Sequence, residues 1–529
     1  MSDTAKALQQ AVAPAAHPII YVRGYAMSES ERDETAADPF CGFNAGSTVV
    51  RAGTGDKDTK ARKFIFESPV VRLISDFGYA DVYDEGLDIM DRDWPKDKTI
   101  PYRSVVVYRY YDDGSSLLGS GKSSPIETYA EGLGKLIQRV RDLARDEAGQ
   151  AIADTDFKCY LVAHSMGGLV CRAFLQNPAL GDAQTRAWVD KVFTYATPHN
   201  GIELAGVNVP DWLKTADMNN FSRPRMAEYL NLDKDSEYLA EERVDLLRHF
   251  PPDRFFCMVG SNRADYNVAA GLSRMFSGHG SDGLVKVANA VLTGQDRAGQ
   301  TLPCPKAYTY RSHSGYFGIV NSEEAFQNLT RFLFGNLRVD IWFDVAGVTL
   351  PESLQGQADQ VEADYYFELQ AAPRKMRGLL TRRTAEEDSA AIRGHGEIVK
   401  HKKRSVYLSS VFLANWAKVD QTDNTLTYAV TLGIGVQEYL VDGWLFDSHV
   451  EGARLFSDTA IIAITPAKQI EWHWSQAKSK PTDVRLITQD EHEAIQAGGS
   501  LTVEIPIPTV AKKAPGITGK LRFVVSGWR

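Results

Sequence analysis

Hydrophobic and polar positions follow two different patterns along the chain. From about His17 to Asn336, short apolar runs alternate with longer segments whose apolar residues recur at helical spacing, which predicts a largely parallel sheet covered by helices on both faces. Buried strands are predicted at Pro18 to Val22, Ser104 to Tyr111, Phe157 to His164, Lys191 to Thr197, Arg254 to Ser261 and Lys306 to His313. Helical spacing predicts an amphipathic helix at Glu127 to Asp146 and further helices at Gly167 to Gln176 and Glu323 to Gly335. A helix-rich insertion is expected from roughly Asp211 to Phe250, within a cap spanning about 203–250.

After Asn336 the pattern changes to period-two alternation without long helices, and about eight candidate strands suit an antiparallel sandwich. The expected organisation is therefore a tail at 1–17, an α/β unit at 18–336 and a β-rich domain at 337–529. The charged stretch Arg374 to Arg404 predicts a long loop or a broken helix.

With 529 residues the chain exceeds one ordinary core, which agrees with two domains. Its 43% hydrophobic and 24% charged residues are those of a globular protein, and no apolar run is long enough to cross a bilayer. A net charge of −9 argues against nucleic acid as a partner, because counterion release needs a concentrated basic footprint. The segment MSDTAKALQQAVAPAAHP lacks the charged and apolar regions of a signal peptide. Cytosolic residence is the expectation, with export by a signal-independent route left open. Cys41, Cys159, Cys171, Cys257 and Cys304 have no metal-ligand spacing and predict buried thiols rather than disulfides.

Candidate chemistry centres on YLVAHSMGGLV, where Ser165 stands between a predicted buried strand and a predicted helix. A sharp strand-to-helix turn lifts such a serine above the sheet edge and requires small residues two before and two after it, here Ala163 and Gly167. Gly168 lets the helix approach the sheet. A serine hydroxyl is a poor nucleophile unless an imidazole takes its proton and a carboxylate orients that imidazole.

In chain order the acid and the base should follow the serine. Asp282, in the turn HGSDGLVKV, and His313, in YRSHSGYFG, fit that order. Asp265 competes as the acid, and His199 and His279 compete as the base but precede the expected position. The small residues around His313 suit an exposed loop. A tetrahedral intermediate needs two N–H donors; the backbone of Met166 is one candidate and that of Tyr25, after Arg23 and Gly24, is the other.

These residues carry a family resemblance. AHSMGGLVCR, ATPHNG (Ala196 to Gly201), SDGLV (Ser281 to Val285) and SHSGYFGIVNS (Ser312 to Ser322) resemble the lipase branch of the α/β-hydrolases, which includes bacterial triacylglycerol lipases and GPI inositol-deacylase-like proteins. The resemblance covers roughly Ile19 to Gly335 and implies Ser165 as nucleophile, Asp282 as acid and His313 as base. It also implies a structural role for the ATPHNG turn and a lid or rigid cap over an acyl pocket. The family's oxyanion loop often reads His-Gly, whereas here it reads Arg23-Gly24, which retains the backbone donor.

The implied activity is carboxylic-ester hydrolysis with no metal or organic cofactor, and the first substrate choice is a lipid or phospholipid ester. A soluble ester, a synthetic polyester and an amide remain open, since fold analogy does not fix substrate. A lipase effector of the type VI secretion kind, with the β-rich domain as a binding or delivery module and a protein partner for that domain, is the alternative of a different class. Peripheral contact between Arg374 to Arg404 and anionic lipid is weaker than a solvated-loop reading, because acidic residues interrupt the run.

Overall fold

A computed structural model describes the chain except for residues 1–2, 25–36, 38–40, 42, 44–46, 52–61, 67, 84–86, 113–122, 205–206, 209–217, 233–242, 264–279, 296–298, 316–317, 375, 377, 418–424, 442–447, 466–468, 478–482 and 509–513. The chain forms two compact units, one of Met1–Lys306 with Arg311–Leu329 and one of Ala307–Tyr310 with Thr330–Arg529.

Among the described residues the central sheet has seven strands: β1 (Ile19–Val22), β2 (Ala80–Asp81), β3 (Ser104–Tyr108), β4 (Cys159–His164), β5 (Val189–Tyr195), β6 (Phe255–Gly260) and β7 (Lys306–Thr309). Their order is β7-β6-β5-β4-β1-β3-β2, and the pairings from β2 through β6 are parallel. Ile19, Ile20, Tyr21 and Val22 are all fully buried, the continuous burial expected of a strand covered on both faces. The arrangement is consistent with an α/β-hydrolase fold.

The helices described in this part of the chain include α1 (Asp3–Val12), α2 (Pro69–Phe77), α3 (Ile126–Leu143), α4 (Met166–Gln176), α5 (Arg223–Tyr229) and α6 (Glu323–Phe334), with a further single turn at Ala183–Ala187. The Ser68 hydroxyl accepts the Val71 N–H to cap α2, and Gly78 ends that helix at φ 72°. In α3, Leu133, Ile137 and Val140 are buried at helical spacing while the charged residues between them stay accessible. Helix α4 is buried on every side.

Two predicted strands stop early. After Tyr108 the chain turns, and the hydroxyls of Tyr110 and Tyr111 donate to the carbonyls of Arg23 and Gly24, both at 2.7 Å. After Thr309 the chain leaves the sheet, so His313 stands on a loop. The expected tail at 1–17 contains a ten-residue helix, α1, with Val12 buried.

The described residues of the insertion hold only short helical segments, and residues 209–217 and 233–242 of it lie outside the described residues. Its described residues form a two-stranded hairpin (Glu203–Leu204 with Val207–Asn208), a 3-10 turn (Met218–Phe221), the seven-residue α5 and a short strand (Leu246–Leu247). Polar side chains of α4 anchor this region: Arg172 donates to the carbonyls of Val244 and Leu246, and Gln176 to that of Leu230. The buried amide and guanidinium groups find their acceptors there, so Leu230, Val244 and Leu246 are tied to α4.

The second unit contains β8 (Leu337–Thr349), β9 (Asp364–Pro373), β10 (Ser405–Leu413), β11 (Leu426–Val441), β12 (Ser448–Ile464), β13 (Gln469–Trp474), β14 (Ser500–Pro506) and β15 (Gly516–Gly527). One antiparallel sheet runs β10-β8-β15-β14; the other is built on β9-β11-β12-β13 with short flanking strands. Alternate residues of both, such as Ile341, Phe343, Leu369, Leu432, Ile505 and Leu521, meet in one apolar core.

The stretch from 374 to 404 is neither a long loop nor a broken helix. It contributes two short strands, Thr381–Arg383 and Ala391–Gly394, that pair with β9, and a short helix, His395–Val399. Arg383 is buried there and donates to the carbonyls of Ser389 and Leu408. A charged residue tied to main-chain acceptors joins the fold rather than the solvent.

All five cysteines are buried and none forms a disulfide. Among the described residues, no helix is long and apolar enough to cross a membrane.

Candidate active site

Ser165 links the end of β4 to the start of α4 with φ 53° and ψ −126°. Few non-glycine residues occupy this region, and they persist only where the surroundings enforce it. Here the Ser165 N–H donates to the Tyr195 carbonyl at 2.9 Å, and its own carbonyl accepts from the Gly168 N–H at 3.0 Å. That carbonyl also accepts from the Thr197 hydroxyl at 2.9 Å. A Cβ on Gly167 would collide with the carbonyl oxygens of Val22 and Arg23, and one on Gly168 with the Thr197 side chain. The paired glycines thus let α4 begin against the end of β1 and against the ATPHNG turn.

The structure brings Ser165, His313 and Asp282 together. His313 Nε2 lies 2.9 Å from Ser165 Oγ, and His313 Nδ1 lies 2.9 Å from Asp282 Oδ2. A carboxylate only accepts, so Nδ1 carries the ring proton and Nε2 is left as the acceptor of the serine hydroxyl. Asp282 Oδ1 accepts the N–H groups of Leu284 at 3.0 Å and Val285 at 2.8 Å, which fixes the carboxylate in its turn. The His313 N–H donates to the Asp282 carbonyl at 3.0 Å, so the two residues are joined through main chain as well as side chain.

Strand ends and ion pairs carry this arrangement. Asp282 packs against Gly260 at the end of β6, where a Cβ would lie 2.9 Å from the Asp282 Cβ. Arg311, two residues before His313, forms an ion pair with Glu324 in the first turn of α6 at 3.0 Å. The flanks of His313 are accessible at Ser314 and Gly315, but His313 itself is only 3% exposed. The loop was expected to be exposed; the imidazole folds inward because both of its nitrogens have partners inside. Ser165 and Asp282 are equally covered, at 4% and 1%.

Met166 is the first residue of α4, where an N–H has no carbonyl one turn earlier to bond. Tyr25, the other candidate donor, lies outside the described residues, as do Asp265 and His279. His199 does not serve Ser165: its Nε2 meets the Thr194 hydroxyl at 3.3 Å, and its ring stands edge-on to Phe255. Among the described residues, no group of three His, Cys, Asp or Glu side chains is placed to hold a metal ion.

Three contributors were not singled out by their pattern. Tyr110 and Tyr111 read as strand residues, yet their hydroxyls fix the carbonyls that lead into the loop after β1. His164 reads as the end of β4, yet its Nε2 lies 2.9 Å from the His313 carbonyl. Burial, and then the neighbouring His313, holds His164 well below the usual histidine value and therefore neutral.

No family model and no curated protein matches the chain. Among solved structures it is similar to the mature form of a Bacillus licheniformis lipase, with 14% identity and a TM-score of 0.30, over 61% of this chain and 93% of that one. It is also similar to a metagenomic carboxyl esterase, with 12% identity and a TM-score of 0.28, over 57% of this chain and 66% of that one. Both likenesses are slight, so the site is read from its own geometry.

Proposed function

We propose that the chain is a serine carboxylic-ester hydrolase working through an acyl-enzyme, with Ser165 as nucleophile, His313 as general base and Asp282 as the acid. The observation that carries this reading is the unbroken line Ser165 Oγ, His313 Nε2, His313 Nδ1, Asp282 Oδ2, with both contacts at 2.9 Å, on a serine held at positive φ. His313 Nε2 takes the hydroxyl proton as Ser165 Oγ attacks the ester carbonyl carbon. Asp282 stabilises the resulting imidazolium. We assign the oxyanion to the N–H groups of Met166 and Tyr25.

Collapse of the tetrahedral intermediate breaks the ester C–O bond, and His313 returns its proton to the departing alcohol. Water, deprotonated by the same imidazole, then releases the carboxylic acid. A lipid or phospholipid ester is the proposed substrate class, in keeping with the resemblance of the motifs.

Fluorophosphonate labelling and hydrolysis of a p-nitrophenyl ester series, triglyceride and phospholipid test the reading. The wild type is expected to be labelled and active, and Ser165→Ala to lose both. Labelling or hydrolysis retained by Ser165→Ala would overturn it.

A further inference from the structure

The reaction proposed for the site leaves His164 without a part in it. This residue ends β4 and immediately precedes the nucleophile. Its Nε2 is 2.9 Å from the His313 carbonyl oxygen, and the two imidazole rings lie 4.9 Å apart at 44°. A carbonyl only accepts, so the proton of His164 resides on Nε2 and the tautomer is set by its partner. The other edge of the ring faces Gly24, where a Cβ would stand 3.0 Å from His164 Nδ1 and 2.7 Å from the Ser165 Cβ.

We propose that His164 is a positioning residue for the general base: its Nε2–H holds the main-chain carbonyl of His313 and so sets the His313 imidazole at proton-transfer distance from Ser165. The proposal rests on the catalytic reading of Ser165 and His313 given above. Its ground is a closed circuit. Ser165 is bonded to His164 through the chain, His164 reaches the His313 carbonyl, and the His313 ring returns to Ser165 Oγ at 2.9 Å.

Meanwhile the His313 N–H is held by the Asp282 carbonyl at 3.0 Å. Both main-chain polar groups of the base are thus fixed, one from the acid's turn and one from the nucleophile's neighbour. The ring then has little freedom to swing away on its loop. Histidine suits the task because it reaches a carbonyl from a strand end as a neutral donor. A charged donor beside His313 would oppose the imidazolium that forms when the serine proton is taken.

The test compares His164→Leu, His164→Asn and His164→Gln with wild type, after thermal melts and circular dichroism have identified which variants fold. A glutamine amide nitrogen falls near the position of Nε2, whereas that of asparagine falls short of it. Loss of the donor is expected to lower kcat by roughly ten- to a hundredfold in the Leu and Asn variants. KM should stay within about twofold, because ground-state binding is not touched. The rate of fluorophosphonate labelling should fall in step with kcat, and His164→Gln should recover most of both.

The Asn and Gln variants decide the matter even where His164→Leu does not fold. Wild-type kcat in the Leu or Asn variant, a loss confined to KM, or a Gln variant no better than the Asn variant would each overturn the positioning role while leaving the serine reaction standing. A wild-type protein that is neither labelled nor active would overturn the catalytic reading itself, and the role of His164 with it.

Discussion

At Ser165 the proposed nucleophile sits on a backbone that most residues avoid. Holding a non-glycine residue at φ 53° costs on the order of 1–3 kcal/mol, and the cost is met by the Tyr195, Gly168 and Thr197 contacts around it. Glycine adopts such a conformation freely. Ser165→Gly is therefore expected to be more stable than Ser165→Ala by about 1 kcal/mol in urea denaturation, although both lack the nucleophile. Equal stability would mean that the turn is not strained. The residues brought together here, Ser165, His313 and Asp282, could be picked out beforehand because the proposed chemistry constrains their order and the residues beside them. His164 was not, because its part depends on a carbonyl 149 positions away in the chain. Nor could residue type separate Asp282 from Asp265; the hydrogen bonds of the Asp282 turn did not exist until the chain was folded.

At the level of strands and helices, continuous apolar runs located the central sheet to within a few residues. The errors fall where side-chain hydrogen bonds override hydrophobic pattern, as at Tyr110 and Tyr111, or where charged residues are taken into a fold, as at Arg383. A further case lies at the start of β5. Lys191 is fully buried beside Asp190, with its ammonium 5.5 Å from the centre of the Tyr160 ring. Burial lowers its pKa from the usual 10.5 to about 7.

Nearby, burial lowers His17 to about 4. For both groups the unfolded chain binds the proton more tightly, so each opposes folding once it must be charged. For Lys191 the contribution to stability rises as pH increases from about 7 towards 10.5 and is lost as pH falls through 7. His17 adds the same sense of change between about 4 and 6.5. Lys191→Met is therefore expected to raise Tm over wild type, with a gain that is largest at or below pH 7 and shrinks towards pH 10. A gain that is independent of pH, or that grows with pH, would contradict the assignment.

On the scale of the whole molecule, the change from helical to alternating pattern after Asn336 reflects two cores of different construction. The β-rich unit closes its core by facing two antiparallel sheets, a design that alternation along each strand announces directly. Less legible were the short strands at 381–383, 391–394 and 483–486 and the helix Gln489–Gln496, whose sequences are short or highly charged. Thr488 and Glu491 begin that helix with reciprocal side-chain to main-chain bonds, a local signal strong enough to nucleate two turns.

The cysteines open a different use of the molecule. Every thiol lies between positions 41 and 304, and none falls in the strands from Leu337 onward. Burial raises the thiol pKa of Cys159, Cys171 and Cys257, the last to about 11, which suppresses the reactive thiolate. Alkylating reagents should then leave the native protein untouched, and each modification should mark an opening event in the α/β unit alone. Labelling under increasing denaturant, read by intact mass, is expected to follow loss of the proposed esterase activity rather than loss of β-sheet circular dichroism. The chain thus carries an internal clock for one half of itself, with the other half kept silent.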